Sequence, residues 1–498
     1  MEIQHPVDDP KLPSFRHRIL RELREDLNRA QDAYACLRGV KQRYLPPEPA
    51  EPPEAYDARI GRAVFSDFFR FAIESLAGVL SKFTVTDAPA TFTAAIQNID
   101  LEGNDLVTWL TSVDSTTLRD GGTWLQVEMP PDTPGNRAEE LITGRRPYLV
   151  QRPRVMGVNW HTSTGDGVRE LDWVMFLEVA EEPVPDGFGT ELVARYRQIG
   201  RGWQSLYKVE KQKNGKWTFT IERDREPILG AGNVPINVCP VVWYPADFAA
   251  PGEGEQPLRQ VMEHNIEHFQ RRSDLREKDH KINMPVPVVT GATPPAAGDP
   301  MAPGGSGHRP PFVIGPNTIV NLEVGGTFEF KEPSAQSLTF SQAQITEVEK
   351  LIGRQTLGFL FGDSGAVKTA TQAGMEGAQT ESAIIRMSRR KASAVQSLMQ
   401  IWVLFTGEQL KPTAGIAMDD SVFEPPLDSQ GIAQLQSLTG GLELMSQRSG
   451  IETLQRRRYN LVTRTADEEL ERLAAEVPPP EEEPPLNELP PLPDDLEN

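Results

Sequence analysis

Residues Gln256–Ile282 read QPLRQVMEHNIEHFQRRSDLREKDHKI, and the segment has two halves. In the first, Leu258, Val261, Met262, Ile266 and Phe269 recur at the three- and four-residue spacing of one helical face. In the second, Gln270–Lys281, Leu275 is the only strong apolar residue among Arg271, Arg272, Asp274, Arg276, Glu277, Lys278, Asp279 and Lys281. A helix apolar at one end and charged all round at the other is expected to leave its domain core and run through water or along another subunit. Met284–Pro333, about 50 residues rich in Pro and Gly, precedes the return of helical periodicity over Ser337–Phe361. The chain is thus organised around two helices that bracket a protruding, non-helical module.

Working downstream, Gly362–Thr369 (GDSGAVKT) interrupts the second helix. Ala370–Leu410 then reads as one very long helix, about 60 Å if unbroken. Asp428–Met445 and Ile451–Ala475 are expected as two more. Glu476–Asn498 holds eight acidic residues, eight prolines and no Lys or Arg, the composition of an extended or disordered tail.

Upstream, Ser14–Cys36 and Ala55–Phe83 are expected as helices, separated by YLPPEPAEPP (Tyr44–Pro53). Asn98–Asn104 reads as a cap and turn before a helix over Asp105–Leu118. Gly121–Tyr244 then shows strand patterns at Gly121–Glu128, Pro147–Asn159, Glu170–Glu182, Ala194–Ile199, Trp203–Glu210, Lys216–Ile221 and Val241–Tyr244. Asn214–Gly215 is a hairpin-turn signal between two of them. The fold class expected is α+β, long helices with a mostly antiparallel β region.

At 498 residues the chain is long enough for two to four domains. No run approaches 18 apolar residues, so no membrane helix is expected, and the acidic N-terminus carries no secretory pattern. Cys36 and Cys239, far apart in sequence, are expected as reduced structural thiols. Eight of the net 20 negative charges sit in the tail, which leaves the body near −12. That is not the balance of a high-affinity DNA binder, which shows a basic patch. It suits a protein that DNA must pass without sticking.

Few signals point to enzyme chemistry. His264-Asn265-Ile266-Glu267-His268 matches the H-x-x-E-H pattern of inverted zinc peptidases, in which two His bind Zn²⁺ and the Glu polarises a water. It needs a third ligand; Glu347 or Glu349 could serve, and nothing singles either out. Gly362–Thr369 resembles a phosphate loop, but Val367 and not Gly precedes Lys368, and a helix rather than a strand precedes the loop. Arg386, Arg389, Arg390 and Lys391, and Arg456–Arg458, read as solvated helix faces, intersubunit ion pairs or phosphate contacts. No Ser/His/Asp or Cys/His nucleophile arrangement is visible, and no cofactor is expected.

Several strings, taken in order, resemble the portal proteins of tailed bacteriophages, in a portal-like branch known mainly as a domain of unknown function. They are Tyr44-Leu45-Pro46, Arg59–Phe65 (RIGRAVF), Leu76–Leu80 with Phe83, Asn98–Gly103 (NIDLEG), Arg146–Leu149 and Val158–Trp160. Further on come Pro257-Leu258, Asn265-Ile266 with His268, Ser273-Asp274, Pro285, Gly291 and Thr369–Thr371. The insertion Ala292–Pro311 departs from the family in its length and Gly/Pro content.

The resemblance implies a virion protein at one capsid vertex, assembled in the host bacterial cytoplasm as a ring usually of twelve subunits. Double-stranded DNA passes its channel without sequence specificity. The large terminase, then tail adaptor proteins, dock on it, and capsid or scaffold protein surrounds it. Residues 1–255 would be the wing, 256–283 and 337–361 the stem, 284–336 the clip, 362–369 the tunnel loop, 370–411 the long wing helix, 412–475 a crown or outer wing and 476–498 a disordered tail. Ring contacts would come from Arg271, Arg272, Asp274, Arg276, Glu277, Lys278 and Lys281. The DNA-facing loop would present Asp363, Ser364, Gly365, Val367, Lys368 and Thr369. The clip would dock partners through Val286, Val288, Arg309, Phe312, Ile314, Phe328 and Phe330. The competing readings are a zinc metallopeptidase using His264, Glu267 and His268, and a capsid or head–tail adaptor protein that forms no channel.

Overall fold

A computed structural model describes residues 6–49, 51–130, 145–165, 168–183, 187–212, 215–247, 249–282, 286–292, 322–331, 336–356 and 370–418, with scattered positions between 446 and 472. The chain divides into two units, Met1–Ser81 with Val85–Ala417, and Lys82–Thr84 with Met418–Asn498. The two expected helices after residue 427, Arg456–Arg458 and the acidic tail lie almost wholly outside the described residues.

The first unit opens with helices α1 (Arg18–Glu22), α2 (Arg24–Tyr34), α3 (Lys41–Tyr44), α4 (Pro53–Arg62) and α5 (Phe68–Leu80). In chain order strand β1 (Phe83–Thr86), whose first two residues are assigned to the second unit, α6 (Ala90–Ala95) and α7 (Leu106–Asp120) follow. Then come β2 (Gly122–Glu128), β3 (Tyr148–Pro153), β4 (Gly157–Gly165), β5 (Val168–Pro183), β6 (Thr190–Gly200), β7 (Trp203–Lys211), β8 (Trp217–Pro227) and β9 (Val241–Pro245). The remaining elements are α8 (Arg259–Ile282), β10 (Val286–Ala292), β11 (Leu322–Lys331), α9 (Gln336–Gln355), α10 (Ala370–Thr406) and β12 (Gly415–Met418).

Two expected helices are each divided. Ser14–Cys36 breaks at Leu23 into α1 and α2. Ala55–Phe83 breaks at 63–67 into α4 and α5, because partners from α8 engage the backbone in the gap. The expected strand over Pro147–Asn159 is likewise β3 and β4 joined by a short 3-10 turn, Arg154–Met156.

The α+β expectation holds. Sheet one has the order β3-β2-β9 and sheet two is the meander β4-β5-β6-β7-β8, with every neighbouring pair antiparallel. Trp124 and Val241 from the first sheet and Trp160, Val174, Phe176 and Ile199 from the second bury one shared cluster, which packs the sheets together. The other face of the meander carries Met175, Tyr196 and Val209 with Trp173, Tyr207, Trp217 and Phe219. Strand β8 runs six residues beyond the expected Lys216–Ile221, through Glu222-Arg223-Asp224-Arg225-Glu226. Alternating charge along this sheet edge leaves it unattractive to a stray strand.

Helices α7 and α10 cover the first sheet from the side away from the meander. Between them lies a fully buried polar triad. Lys391 Nζ is 2.7 Å from Asp114 Oδ2 and 2.8 Å from the Leu80 carbonyl, and Tyr244 Oη donates to Asp114 Oδ1 at 2.8 Å. Burial raises the Asp114 carboxyl and lifts the Tyr244 phenol far above its ordinary value. Each polar atom has a partner, which is the condition under which a buried pair is tolerable.

Candidate functional site: a helix pair that carries a two-stranded ribbon

The entry into α8 is fixed by a backbone crossing. Gly121 sits at φ +79° and Gly254 at φ +145°, and a Cβ on Gly254 would lie 2.3 Å from the Gly121 carbonyl oxygen. Only glycine fits both conformation and space there. The buried Arg154 guanidinium ties the same loop down, donating to the carbonyls of Asp120, Gly254 and Gly252 at 3.0, 2.8 and 2.8 Å. Burial lowers its pKa to about 10, which still leaves it charged at neutral pH. Gln256 Nε2 then donates to the Arg119 carbonyl at 3.0 Å, and α8 begins three residues later.

The apolar half of α8 behaves as its spacing demands. Leu258, Val261, Met262, Ile266 and Phe269 are all buried. Two polar residues are buried among them. Asn265 spans the gap between α4 and α5: its Oδ1 accepts the Phe69 N–H and its Nδ2 donates to the Ser66 carbonyl, both at 2.9 Å. It thereby satisfies backbone groups at the start of α5 that the helix cannot satisfy itself. The phenylalanines of that region pack on α8, Phe65 against Phe269 and Phe68 edge-on to His268, while Phe71 stays half exposed.

His268 has no exposed surface, and its Nε2 lies 3.0 Å from Glu349 on α9. Burial lowers the His268 pKa, against the opposing pull of Glu349. His264 Nδ1 instead meets Glu267 on its own helix at 3.2 Å. For Glu267, burial acts to raise the pKa, but hydrogen bonds from His264 and Arg271 hold it below its ordinary value. The H-x-x-E-H pattern therefore does not converge on one point: His264 and Glu267 pair with each other on one helix, and His268 turns to Glu349 on α9. Among the described residues no three His, Cys, Asp or Glu side chains are grouped to hold a metal.

The charged half of α8 is more engaged with its own chain than its composition suggests. Arg271 bonds Glu267 at 2.8 Å and Gln344 at 2.6 Å. Arg272 reaches Ser66 Oγ at 2.8 Å, and Arg276 the Arg62 carbonyl at 2.8 Å. Glu277 pairs with Arg62, and Lys278 meets Ser341 Oγ at 3.3 Å. Asp274 and Lys278 lie at the surface, and Lys281 falls on the last turn of the helix.

These contacts also fix how α9 lies. Gln260 meets Gln355, His268 meets Glu349, Arg271 meets Gln344 and Lys278 meets Ser341, so the two helices run antiparallel. Ile345, Val348 and Ile352 are buried, while Phe340 is 65% exposed. The end of α8 and the start of α9 therefore meet at one end of the pair.

Between those two ends the chain forms an antiparallel ribbon, β10 with β11. Register places Val286 opposite Lys331 and Val288 opposite Glu329, whereas Phe328 and Phe330 stand opposite Val289 and Pro287. Directly paired residues share a face, so Val286 and Val288 fall on one face and Phe328 and Phe330 on the other. Arg309, Phe312 and Ile314 lie outside the described residues, as do Asp363, Ser364, Gly365, Val367, Lys368 and Thr369 of the expected tunnel loop. Of the basic cluster on α10, Arg386 pairs with Asp247 at 3.7 Å and Lys391 belongs to the buried triad rather than to a solvated face.

A family model described as a domain of unknown function (DUF4055) matches residues 257–406, from the lead-in to α8 to the end of α10. No curated protein matches the chain. Among solved structures, the chain is similar to one in the virion of the native gene transfer agent (GTA) particle, at 11% identity and a TM-score of 0.38, covering 86% of this chain and 99% of that one. It is similar to a chain in the neck of the native GTA particle computed with C12 symmetry, at 11% identity and a TM-score of 0.37, covering 82% and 95%. A chain in the neck of the empty GTA particle computed with C6 symmetry matches at 12% identity and a TM-score of 0.36, covering 78% and 90%.

Proposed function

We propose that the chain is a non-enzymatic head–tail connector of the portal type. Copies close into a ring at one capsid vertex, DNA passes the central channel during packaging and ejection, and the outer end docks the large terminase and then tail adaptors. The observation that carries this reading is the antiparallel helix pair with a two-stranded ribbon at its end. A ribbon of two strands has two open edges and is marginally stable alone. Strands from neighbouring copies can add to those edges, which rewards repetition around an axis. In this assignment α8 and α9 are the stem, the ribbon with 293–321 is the clip, 362–369 is the tunnel loop, and the sheets with the helices before them are the wing.

Charge supports the same reading. An acidic body repels phosphate over a distance of about 8–10 Å in physiological salt, so DNA slides rather than binds. Sparse cations such as Lys368 would give weak, repeated contacts. Arg271, Arg272, Arg276, Glu277 and Lys278 contact their own chain, which makes the exposed Asp274 the primary ring-contact candidate among the described side chains of α8.

Negative-stain imaging of the purified full chain, with scaffold protein added if needed, tests the proposal. Rings with a central hole are expected. Assemblies without a hole would favour a non-channel adaptor, and a strict monomer at high concentration would overturn the ring.

A further inference from the structure

We infer that residues 6–17 form an acid-released strap against the aromatic outer face of the five-stranded sheet, with the His17 imidazole as its latch. The inference is independent of the portal reading. The strap is folded back on itself: Arg16 N–H donates to the Val7 carbonyl at 3.0 Å, and Ser14, fully buried, donates to the Pro6 carbonyl. It joins the sheet through one backbone bond, His17 N–H to the Val158 carbonyl at 2.8 Å. Pro10 and Pro13 form one wall of a groove of about 370 Å³ whose other wall is Trp173, Met175, Tyr207 and Phe219.

His17 sits at the hinge between strap and helix. It is the N-cap of α1, and its Nδ1 accepts the Ile19 N–H at 3.3 Å. Its ring stacks on Trp160 with centroids 3.9 Å apart and planes 22° apart. A nitrogen that accepts a backbone N–H must hold a free lone pair. Protonation turns Nδ1 into a donor facing a donor, and puts a positive charge at the end of a helix that disfavours one.

The groups facing His17 can be named element by element. Its own helix supplies Arg18 and Arg21, which oppose a charge, and Glu22, which favours it. The loop before α8 supplies Glu253, which also favours it. Strand β4 supplies only the neutral Trp160 ring and the Val158 carbonyl. Burial, the largest effect, and then Arg18 prevail, so the imidazole titrates below its ordinary 6.5. The strapped form therefore prefers neutral His17. Its advantage is complete above pH 6.5 and is lost as pH falls through 6.5 toward the lower, strapped-state value.

Hydrogen exchange over peptides spanning residues 7–22 of the full chain, at pH 7.5 and 5.5 and corrected for intrinsic rates, tests this. Wild-type protection should fall about fivefold at pH 5.5, the fold-change that corresponds to losing a cap of ~1 kcal/mol. His17→Asn caps a helix equally well and does not titrate, so its protection should not change. Equal wild-type protection at the two values, or the same loss in H17N, would overturn the latch. If H17N fails to fold, the C2–H exchange profile of His17 in the wild type decides. A midpoint below 6.5 supports the latch, and one at or above 6.5 overturns it.

Discussion

Asn265 stands inside a pentapeptide whose spacing suggests a metal, and its work is to cap a helix 196 residues away in sequence. Asn265→Ala leaves the Phe69 N–H and the Ser66 carbonyl without those partners in a buried setting. It should cost ~1–3 kcal/mol in chemical denaturation, with loss of hydrogen-exchange protection at the start of α5. Lys391→Met leaves Asp114 buried without its cation and should cost ~3–5 kcal/mol, most of it recovered in Lys391→Met/Asp114→Leu. His268 supplies a pH dependence of its own. Its folded-state pKa is depressed by burial, so its contribution is intact above 6.5 and declines as pH falls below that. Protection of the α8–α9 amides should decline over the same range, and His268→Gln should flatten the decline. None of these roles could be read from sequence. A polar residue in an apolar stripe, or a lysine in a basic run, declares its partner only when a distant segment arrives beside it.

Elements were more legible than residues. The spacing of Leu258, Val261, Met262, Ile266 and Phe269 was enough to place α8 and its buried face, because a 3.6-residue period admits one solution. The meander was legible in its alternation, and Gly215, at φ +79°, falls in the connection between β7 and β8. What failed was continuity. Ala55–Phe83 has an unbroken helical pattern, yet 63–67 is non-helical, since Asn265, Arg272 and Arg276 bind the backbone and Ser66 around that gap. The charged end of α8 was legible as helix, while its ties to Arg62, Gln344 and Ser341 were not. At this scale the portal reading predicts that deleting Gly365–Lys368 leaves ring assembly intact and impairs DNA packaging or retention. Assembly assays with packaging read in parallel check it, and a deletion that abolishes assembly would make the segment structural rather than a tunnel loop.

At the scale of the whole molecule, the proposed channel for DNA rests on the acidity of the chain and on the helix–ribbon–helix unit. Elemental analysis of the purified protein should find no stoichiometric zinc; zinc that is lost on His264→Ala would restore the peptidase reading. The central claim is closure into a channel, and electron microscopy of the purified full chain with class averages down the symmetry axis addresses it most directly. The account predicts closed rings with an open centre wide enough for a DNA duplex. Particles that stay monomeric at high concentration and with scaffold present, or that assemble without a central hole, would contradict it.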